Sequence, residues 1–285
     1  MNSIQELLPH EYPALLQQIS GLPEKLSIRG ELPDDTHIFL TIVGSRKHTA
    51  YGKEVVEMLV KSLSGFPVVI VSGLAHGIDI LAHKAALAAG LRTIAIPGSG
   101  LSDNTLYPAS NRTIAKQILE SHGALISPFA HDMPAAPWMF PIRNRIMAGI
   151  SHATLVIEAE IKSGTLITSK YATEFNRNVF AVPGSIFSVQ SAGPHMLIRL
   201  GATPITTGQE LIEALGFTFK EKQPSFDYKD ASENELKLLA ALETPQSRDQ
   251  LIESLHMDIS TLNALISLLE IKGAIIETMG EIRRI

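Results

Sequence analysis

Short apolar runs alternate with amphipathic stretches through most of this chain, and this alternation limits the possible folds more than any other feature. Strands that are apolar on both sides are buried on both faces, which is typical of a parallel sheet covered by helices. The runs lie at His37–Val43, Val68–Val71, Arg92–Ile96, Ala124–Ser127, Ala153–Ile157, Val179–Val182 and Thr203–Ile205. The sequence therefore predicts an α/β protein with an extended Rossmann-like, doubly wound sheet.

Changes in composition divide the chain into four parts. Residues 1–36 contain four prolines and predict a helical and turn-rich N-terminal extension. Residues 37–216 carry the strand and helix alternation and predict the Rossmann-like domain, while the polar segment 217–231 predicts a linker. Residues 232–285 show three helical segments followed by two short strands, which predicts a small C-terminal winged-helix domain.

Composition excludes several classes of protein. The chain has 285 residues, 45% hydrophobic and 19% charged, so it can fill a core. It has no cysteine, which excludes disulfides and thiolate metal sites. A formal net charge of −5 counts against a broadly basic coat on nucleic acid, so any such binding needs cations concentrated at one site. With neither a signal peptide nor a bilayer-spanning stretch in view, we expect a cytoplasmic protein without a membrane partner.

Small residues occupy the ends of the first two strands of the predicted domain. A glycine-rich turn between a strand and a helix can hold an anion on backbone N–H groups, and an adjacent arginine suits phosphate. The residues are Gly44, Ser45 and Arg46 after the first strand, and Ser72, Gly73 and Gly77 after the second. A tight structural turn with a solvated arginine is the alternative interpretation of the first group. Asp79 could act as an acid or a base, or it could be a dipole partner or cap of the helix that follows. His76 and His83 lie seven residues apart, a spacing that does not predict a metal site.

Two later segments show the same chemistry. Trp138 and Phe140 precede the first of them and could pack on sugars or bases. Buried salt bridges are the alternative role for its arginines. The residues are Arg143, Asn144 and Arg145 in the first segment, and Ser163, Gly164, Thr165 and Lys170 in the second. Four anion-type segments at one edge of one sheet indicate a binding site better than any one of them alone.

The order of these motifs resembles that of the DprA/Smf family of DNA-processing proteins over about residues 10–210, and the C-terminal part resembles the winged-helix domain of many members. The series that carries the resemblance is Gly44-Ser45-Arg46, Tyr51-Gly52, Ser72-Gly73, Gly77-Ile78-Asp79, Tyr107-Pro108, Phe140-Pro141, Arg143-Asn144-Arg145-Ile146, Glu158-Ala159, Ser163-Gly164-Thr165-Leu166, Ala181-Val182-Pro183-Gly184, Leu197-Ile198 and Gly201-Ala202. The pair Pro194-His195 departs from the small polar pair that is usual in the family.

The resemblance implies a homodimer that binds single-stranded DNA and loads the RecA recombinase during natural transformation. It implies no catalytic residue, no metal and no cofactor. The implied DNA or phosphate contacts are Gly44, Ser45, Arg46, Ser72, Gly73, Gly77, Arg143, Asn144, Arg145, Ser163, Gly164, Thr165 and Lys170.

Three alternatives stay open at the level of sequence. A nucleoside-monophosphate phosphoribohydrolase-like enzyme of the same superfamily would need a glutamate where this chain has Thr168. A dinucleotide-dependent oxidoreductase would show Gly-x-Gly-x-x-Gly in its first strand-to-helix turn, which is missing. A winged-helix transcription factor would carry cations on its recognition helix, where Lys272 stands nearly alone over Ile259–Lys272.

Overall fold

The computed structural model describes residues 3–218, 231–242, 244–278 and 280–284. The chain divides into two compact units, residues 1–219 and 220–285. Most of the predicted linker, residues 219–230, lies outside the described residues. In the described part of the chain, no helix is both long and apolar enough to cross a membrane.

The larger unit is built on one sheet of nine strands. In spatial order the sheet runs β1-β2-β6-β5-β4-β3-β7-β8-β9, and all pairs from β6 to β9 are parallel. The strands are β1 (Gln5–Leu7), β2 (Leu26–Gly30), β3 (Ile38–Val43), β4 (Val68–Ser72), β5 (Thr93–Ala95), β6 (Ala124–Ser127), β7 (Ala153–Val156), β8 (Asn178–Ala181) and β9 (Thr203–Pro204). The predicted doubly wound sheet is confirmed.

Eight helices connect and cover these strands within the described part of the larger unit. They are α1 (Ala14–Gln17), α2 (Ala50–Ser62), α3 (Ile78–Ala88), α4 (Arg112–Glu120), α5 (Met139–Ile150), α6 (Thr165–Glu174), α7 (Ala192–Arg199) and α8 (Gly208–Ala214).

Strand β4 shows why the central strands are apolar throughout. Its side chains alternate between two cores: Val68 and Ile70 join the core with α2, α3 and α8, and Val69 and Val71 join the core with α1 and α5. All four side chains are at most 2% exposed. Both faces of the strand therefore need apolar residues, and its one polar residue, Ser72, lies at the end of the strand.

The N-terminal segment corrects the sequence prediction of a helical extension over residues 1–36. Strands β1 and β2 pair antiparallel with each other, and β2 pairs antiparallel with β6, so the segment completes one edge of the sheet. The buried side chains of Leu26 and Ile28 join the same core as α1. The sequence did not predict these strands, because both are short and prolines interrupt the chain on either side of them.

The direction of the chain reverses beside β3, and this sets the position of the site. From β3 the chain moves outward through β4, β5 and β6, and it then returns to the other side of β3 as β7. The carboxyl ends of β3 and β7 thus border a crevice, the topological switch point at which open α/β sheets bind ligands.

The smaller unit has the predicted winged-helix form. Its elements are α9 (Glu233–Ala241), α10 (Arg248–Leu255), α11 (Ile259–Ile271), β10 (Gln246–Ser247), β11 (Ile275–Thr278) and β12 (Glu281–Arg284), with β12 between the other two strands. Side chains at Ser232, Ser247 and Asp258 cap the three helices. The apolar faces of the helices enclose a separate small core.

Candidate functional site

A cleft of about 560 Å³ lies at the switch point. Its walls come from the turn after β3, the start of α5, and the segment between β7 and α6. Predicted site residues that line it are Gly44, Ser45, Arg46, Arg143, Asn144, Ser163, Gly164 and Thr165. The structure therefore brings together eight of the thirteen predicted residues, from three of the four predicted segments.

The turn after β3 presents cations to this cleft. The Ser45 hydroxyl accepts a hydrogen bond from the Lys47 amide at 3.1 Å, which closes the turn locally. Helix α2 begins five residues further on and is capped by Thr49, so Ser45 belongs to the turn and not to the helix cap. Arg46 and Lys47 are exposed and line the cleft. They supply positive charge at its rim.

The N-terminus of α2 already holds an anion. The buried Glu158 carboxylate accepts hydrogen bonds from the Thr49 amide at 3.0 Å and the Thr49 hydroxyl at 2.5 Å. A Cβ at Gly52 would lie 2.3 Å from Glu158 Oε2, so the glycine makes room for this carboxylate. The first helix after the central strand is where a Rossmann protein places its pyrophosphate. That position is filled here by a side chain, which counts against the oxidoreductase alternative.

The loop after β4 also encloses a carboxylate. Burial raises the pKa of the Asp79 carboxyl above its ordinary value, while the charge of Arg143 and the backbone amides of Ala75 and Gly73 act in the opposite direction. Ser72 Oγ is buried and donates to the Ile42 carbonyl at 2.6 Å. The predicted anion nest after β4 is thus occupied by the protein's own aspartate.

Gly77 has a structural role in this loop. Its φ of 79° lies in the left-handed region, and a Cβ there would lie 2.1 Å from the Ser45 carbonyl oxygen. The glycine lets the loops after β3 and β4 pack backbone against backbone. Ser72, Gly73 and Gly77 were predicted as DNA contacts, but none of them lines the cleft.

Arg143 lies at the base of the cleft and is only 4% exposed. Its Nη1 lies 3.6 Å from Asp79 Oδ2 and donates to the Ile96 carbonyl at 3.0 Å. A Cβ at Gly73 would lie 1.2 Å from this same nitrogen, so the arginine occupies the space beside the glycine. The side chain therefore neutralises a buried carboxylate, which is the salt-bridge role that the sequence left open.

Burial also determines the protonation state of His83. Its ring is fully buried, with Nδ1 2.7 Å from the Thr93 hydroxyl. Burial, followed by the charge of Arg143, lowers the pKa of His83 to about 3. The imidazole is therefore neutral at physiological pH. Among the described residues, no cluster of histidine and carboxylate side chains is suited to a metal ion.

The two residues after Arg143 serve different parts of the structure. Asn144 Nδ2 donates to the Gly164 carbonyl at 3.3 Å and so ties α5 to the start of α6. Arg145 donates to Ser20, and its guanidinium lies 5.4 and 5.0 Å from the ring centroids of Tyr171 and Phe175. It does not line the cleft, and it fastens the N-terminal segment to α5 and α6.

The start of α6 forms the wall opposite the β3 turn. Thr165 donates from its hydroxyl to the Gly44 carbonyl at 3.0 Å, which joins the two walls. Ser163 Oγ accepts from the Thr165 amide at 3.2 Å. Thr168 lies one turn further on and lines the cleft, and its buried hydroxyl has no hydrogen-bond partner among the described residues. A buried hydroxyl without a hydrogen-bond partner is uncommon in folded proteins.

Lys170 was predicted to contact the ligand, but it does not line the cleft. It is exposed on α6, and its Nζ lies 3.8 Å from Glu174. The sequence prediction did not include Lys47, Glu160, Lys162 and Gln190, four polar residues that line the cleft. Both lysines directly adjoin predicted motifs, so a search for cations next to each motif would have found them.

Phe140 connects the rim of the cleft with its base. The guanidinium of exposed Arg46 lies 5.0 Å from the centroid of this ring, and that of buried Arg143 lies 6.0 Å from it. Cation–π contacts of this kind hold an arginine in place without using its N–H donors. Arg46 is thus positioned at the rim with its donor groups available to an anion.

These features define a class of protein: an extended Rossmann-like α/β protein with a polar cleft at its switch point, in a chain that also carries a winged-helix unit. The family described as DNA recombination-mediator protein A matches residues 5–216, and the DprA winged helix domain matches residues 222–280. The chain belongs to the DprA/Smf family, and the resemblance inferred from the motifs is confirmed.

Relatives with known sequences support this assignment. Protein Smf of Escherichia coli is 43% identical over 206 residues, which are 72% of this chain and 54% of that protein. The chain thus spans about half the length of this relative. DNA processing protein DprA of Streptococcus pneumoniae is 39% identical over 206 residues, 72% of each chain.

Solved structures support the fold. The X-ray structure of DprA from Streptococcus pneumoniae matches with a TM-score of 0.69 and 37% identity over 76% of each chain. DprA from Helicobacter pylori, whose structure is described as showing a single-stranded DNA binding mode, matches with a TM-score of 0.65 and 27% identity. That match covers 75% of this chain and 98% of the Helicobacter chain.

Proposed function

We propose that this protein binds single-stranded DNA in the cleft between β3 and β7. As a cytoplasmic homodimer it would load the RecA recombinase onto that strand during natural transformation. The cleft holds the sugar-phosphate backbone and catalyses no reaction. The 27% identical Helicobacter pylori protein, described as binding single-stranded DNA, supports the choice of ligand.

The observation that carries this proposal is the pairing of exposed cations with unused polar groups in one cleft. Arg46, Lys47 and Lys162 are exposed at the rim, and Thr168 offers a buried hydroxyl without a partner among the described residues. The chain as a whole carries a net charge of −5, so phosphate attraction must come from such a local concentration. The N-terminus of α6 favours an anion at the same place.

The size of the cleft favours a single strand over a duplex. About 560 Å³ is the volume of a pocket for a small ligand. A flexible single strand can pass one or two nucleotides into such a space, whereas a rigid duplex can contact only its rim. Single-strand sites also commonly combine arginine and lysine with aromatic rings, as Arg46 and Phe140 do here.

The carboxylates of the cleft give little support to the hydrolase alternative. Asp79 is paired with Arg143, and exposed Glu160 accepts a hydrogen bond from Gln190 at 3.1 Å. The position of the superfamily glutamate is occupied by Thr168. Incubation of the purified chain with nucleoside monophosphates tests this directly. We expect no release of free base, and turnover above the buffer blank would contradict a purely binding role.

Exposed apolar side chains support contacts with other proteins. Ile186, Phe187 and Val189, in the segment after β8, are 81%, 92% and 69% exposed. A cluster of exposed apolar side chains more often belongs to a protein interface than to a surface that only contacts water.

The smaller unit gives little support to duplex DNA binding. Lys272, at the end of α11, is bonded to Glu235, so this helix offers little charge for a duplex.

A titration of the full chain with single-stranded and duplex oligonucleotides of equal length tests the proposal. We expect clear preference for the single strand and an affinity that falls as salt rises. Equal or tighter binding of the duplex would contradict the assignment of the cleft. RecA assembly on single-stranded DNA, followed with and without the protein, tests the loading step, and sedimentation tests the dimer.

A further inference from the structure

Trp138 is the one tryptophan of the chain, and the residue before it, Pro137, lines the cleft. It immediately precedes α5, between Pro137 and Pro141, which both line the cleft. Its side chain is 56% exposed. An exposed indole beside a polar cleft contributes little to the core, because most of its apolar area stays in water.

The indole is nonetheless held in place. Its ring meets the ring of Phe129 at 5.7 Å between centroids and an angle of 89°. Phe129 is itself 7% exposed and so forms a fixed support. A perpendicular contact between two rings covers at most one face of the indole. With 56% of its area exposed, the indole presents apolar surface to solvent, and its contact with Phe129 restricts its orientation.

We propose that Trp138 is a stacking platform for a base of the DNA strand whose backbone the cleft holds. This inference rests on the proposed function and extends the binding site beyond the cleft, towards the β6 side of the sheet. A strand that leaves the cleft past Phe140 and Pro137 reaches the indole next. Its bases are unpaired, so each has a free face to stack.

The chemistry of the surroundings favours a base over an apolar protein surface. The neighbouring rim carries Arg46, which already stacks on Phe140, so the strip combines cations with aromatic rings. That combination follows a single strand, in which phosphates and bases alternate. Stacking is tolerant of sequence, and the larger purines should stack more strongly on Trp138 than pyrimidines do.

The single tryptophan makes the test direct. Because all indole fluorescence comes from Trp138, titration of the full chain with single-stranded oligonucleotides should change its emission. Trp138→Ala should weaken binding about tenfold, while Trp138→Phe should retain most of the affinity. Circular dichroism and thermal unfolding should be the same for all three proteins, since the side chain is exposed.

An abasic oligonucleotide of the same length is the control. It keeps the phosphates and lacks the stacking partner, so the wild type and Trp138→Ala should bind it equally. The inference is overturned if the wild type binds ordinary single strands without a change in Trp138 emission and with the same affinity as Trp138→Ala. In that case the proposed function still stands. Failure of the wild type to bind any single strand would instead overturn the proposed function.

Discussion

Helices α2 and α6 both begin at the carboxyl edge of the same sheet, and the difference between their first turns shows how this protein assigns its anion sites. At α2 the carboxylate of Glu158 accepts the hydrogen bonds of Thr49. At α6 the first turn opens into the cleft, where the Thr168 hydroxyl lacks a partner among the described residues. A turn of small residues before a helix thus provides a place for an anion. Contacts with the rest of the fold determine whether a carboxylate of the protein itself occupies that place.

The two cleft arginines show the same division. Arg143 is buried against Asp79, whereas Arg46 is exposed on the outer side of Phe140. One guanidinium balances a charge of the protein, and the other is available to a ligand. Substitutions at the internal sites should therefore change the stability of the fold, and substitutions at the open site should change the affinity for DNA.

The largest effect is expected from Arg143→Ala. Removing this cation leaves the Asp79 carboxylate buried without its charged partner. We expect the free energy of unfolding to fall by about 3–5 kcal/mol, measured by urea denaturation. Arg46→Ala is the matched control and should stay within about 0.5 kcal/mol of the wild type. Equal stability of the two variants would contradict the internal role of Arg143.

Glu158→Ala should have the next largest effect. The Thr49 amide and hydroxyl would lose their acceptor at the start of α2. The free energy of unfolding should fall by about 1–3 kcal/mol, because partly buried donors are left unpaired. Glu160→Ala removes an exposed carboxylate two residues away and should leave stability nearly unchanged. A similar loss of stability in both variants would contradict a specific role of Glu158 at the start of α2.

Arg46→Ala tests the open site. Loss of a charged donor to phosphate should weaken binding of single-stranded DNA about tenfold, with unchanged stability. The slope of log affinity against log salt concentration should become shallower by about 1, the contribution of one phosphate contact. Arg199→Ala, an exposed arginine at the end of α7, is the control and should bind as the wild type does. Loss of affinity in both would point to charge in general and not to the cleft.

The smallest effect is expected from Thr168→Val. This substitution removes a buried hydroxyl that lacks a partner among the described residues, so stability should be unchanged or higher by up to about 1 kcal/mol. Affinity for single-stranded DNA should fall about fivefold if the ligand bonds to that hydroxyl. Thr173→Val changes an exposed threonine on the same helix, bonded to the Ser169 carbonyl, and is the control for affinity. Unchanged affinity in both variants would exclude Thr168 from the site.

Much of this architecture could be predicted from the sequence, because burial on both faces dictates the composition of strands such as β4. The motifs also fixed which loops meet at the carboxyl edge. The partners of those loops could not be predicted, because they come from far along the chain. Glu158 lies 109 residues from Thr49, and Arg143 meets the Asp79 loop from another helix. Only the folded contact separates an occupied anion loop from an open one.

The space between Gly73 and Arg143 also constrains the history of this chain. A side chain at position 73 would occupy the place of Arg143 Nη1, only 1.2 Å away. A larger residue at position 73 therefore requires the Arg143 side chain to move, and loss of Arg143 or Asp79 alone leaves the other buried without its charged partner. Substitutions at these three positions should therefore not be additive, because each one changes the cost of the next.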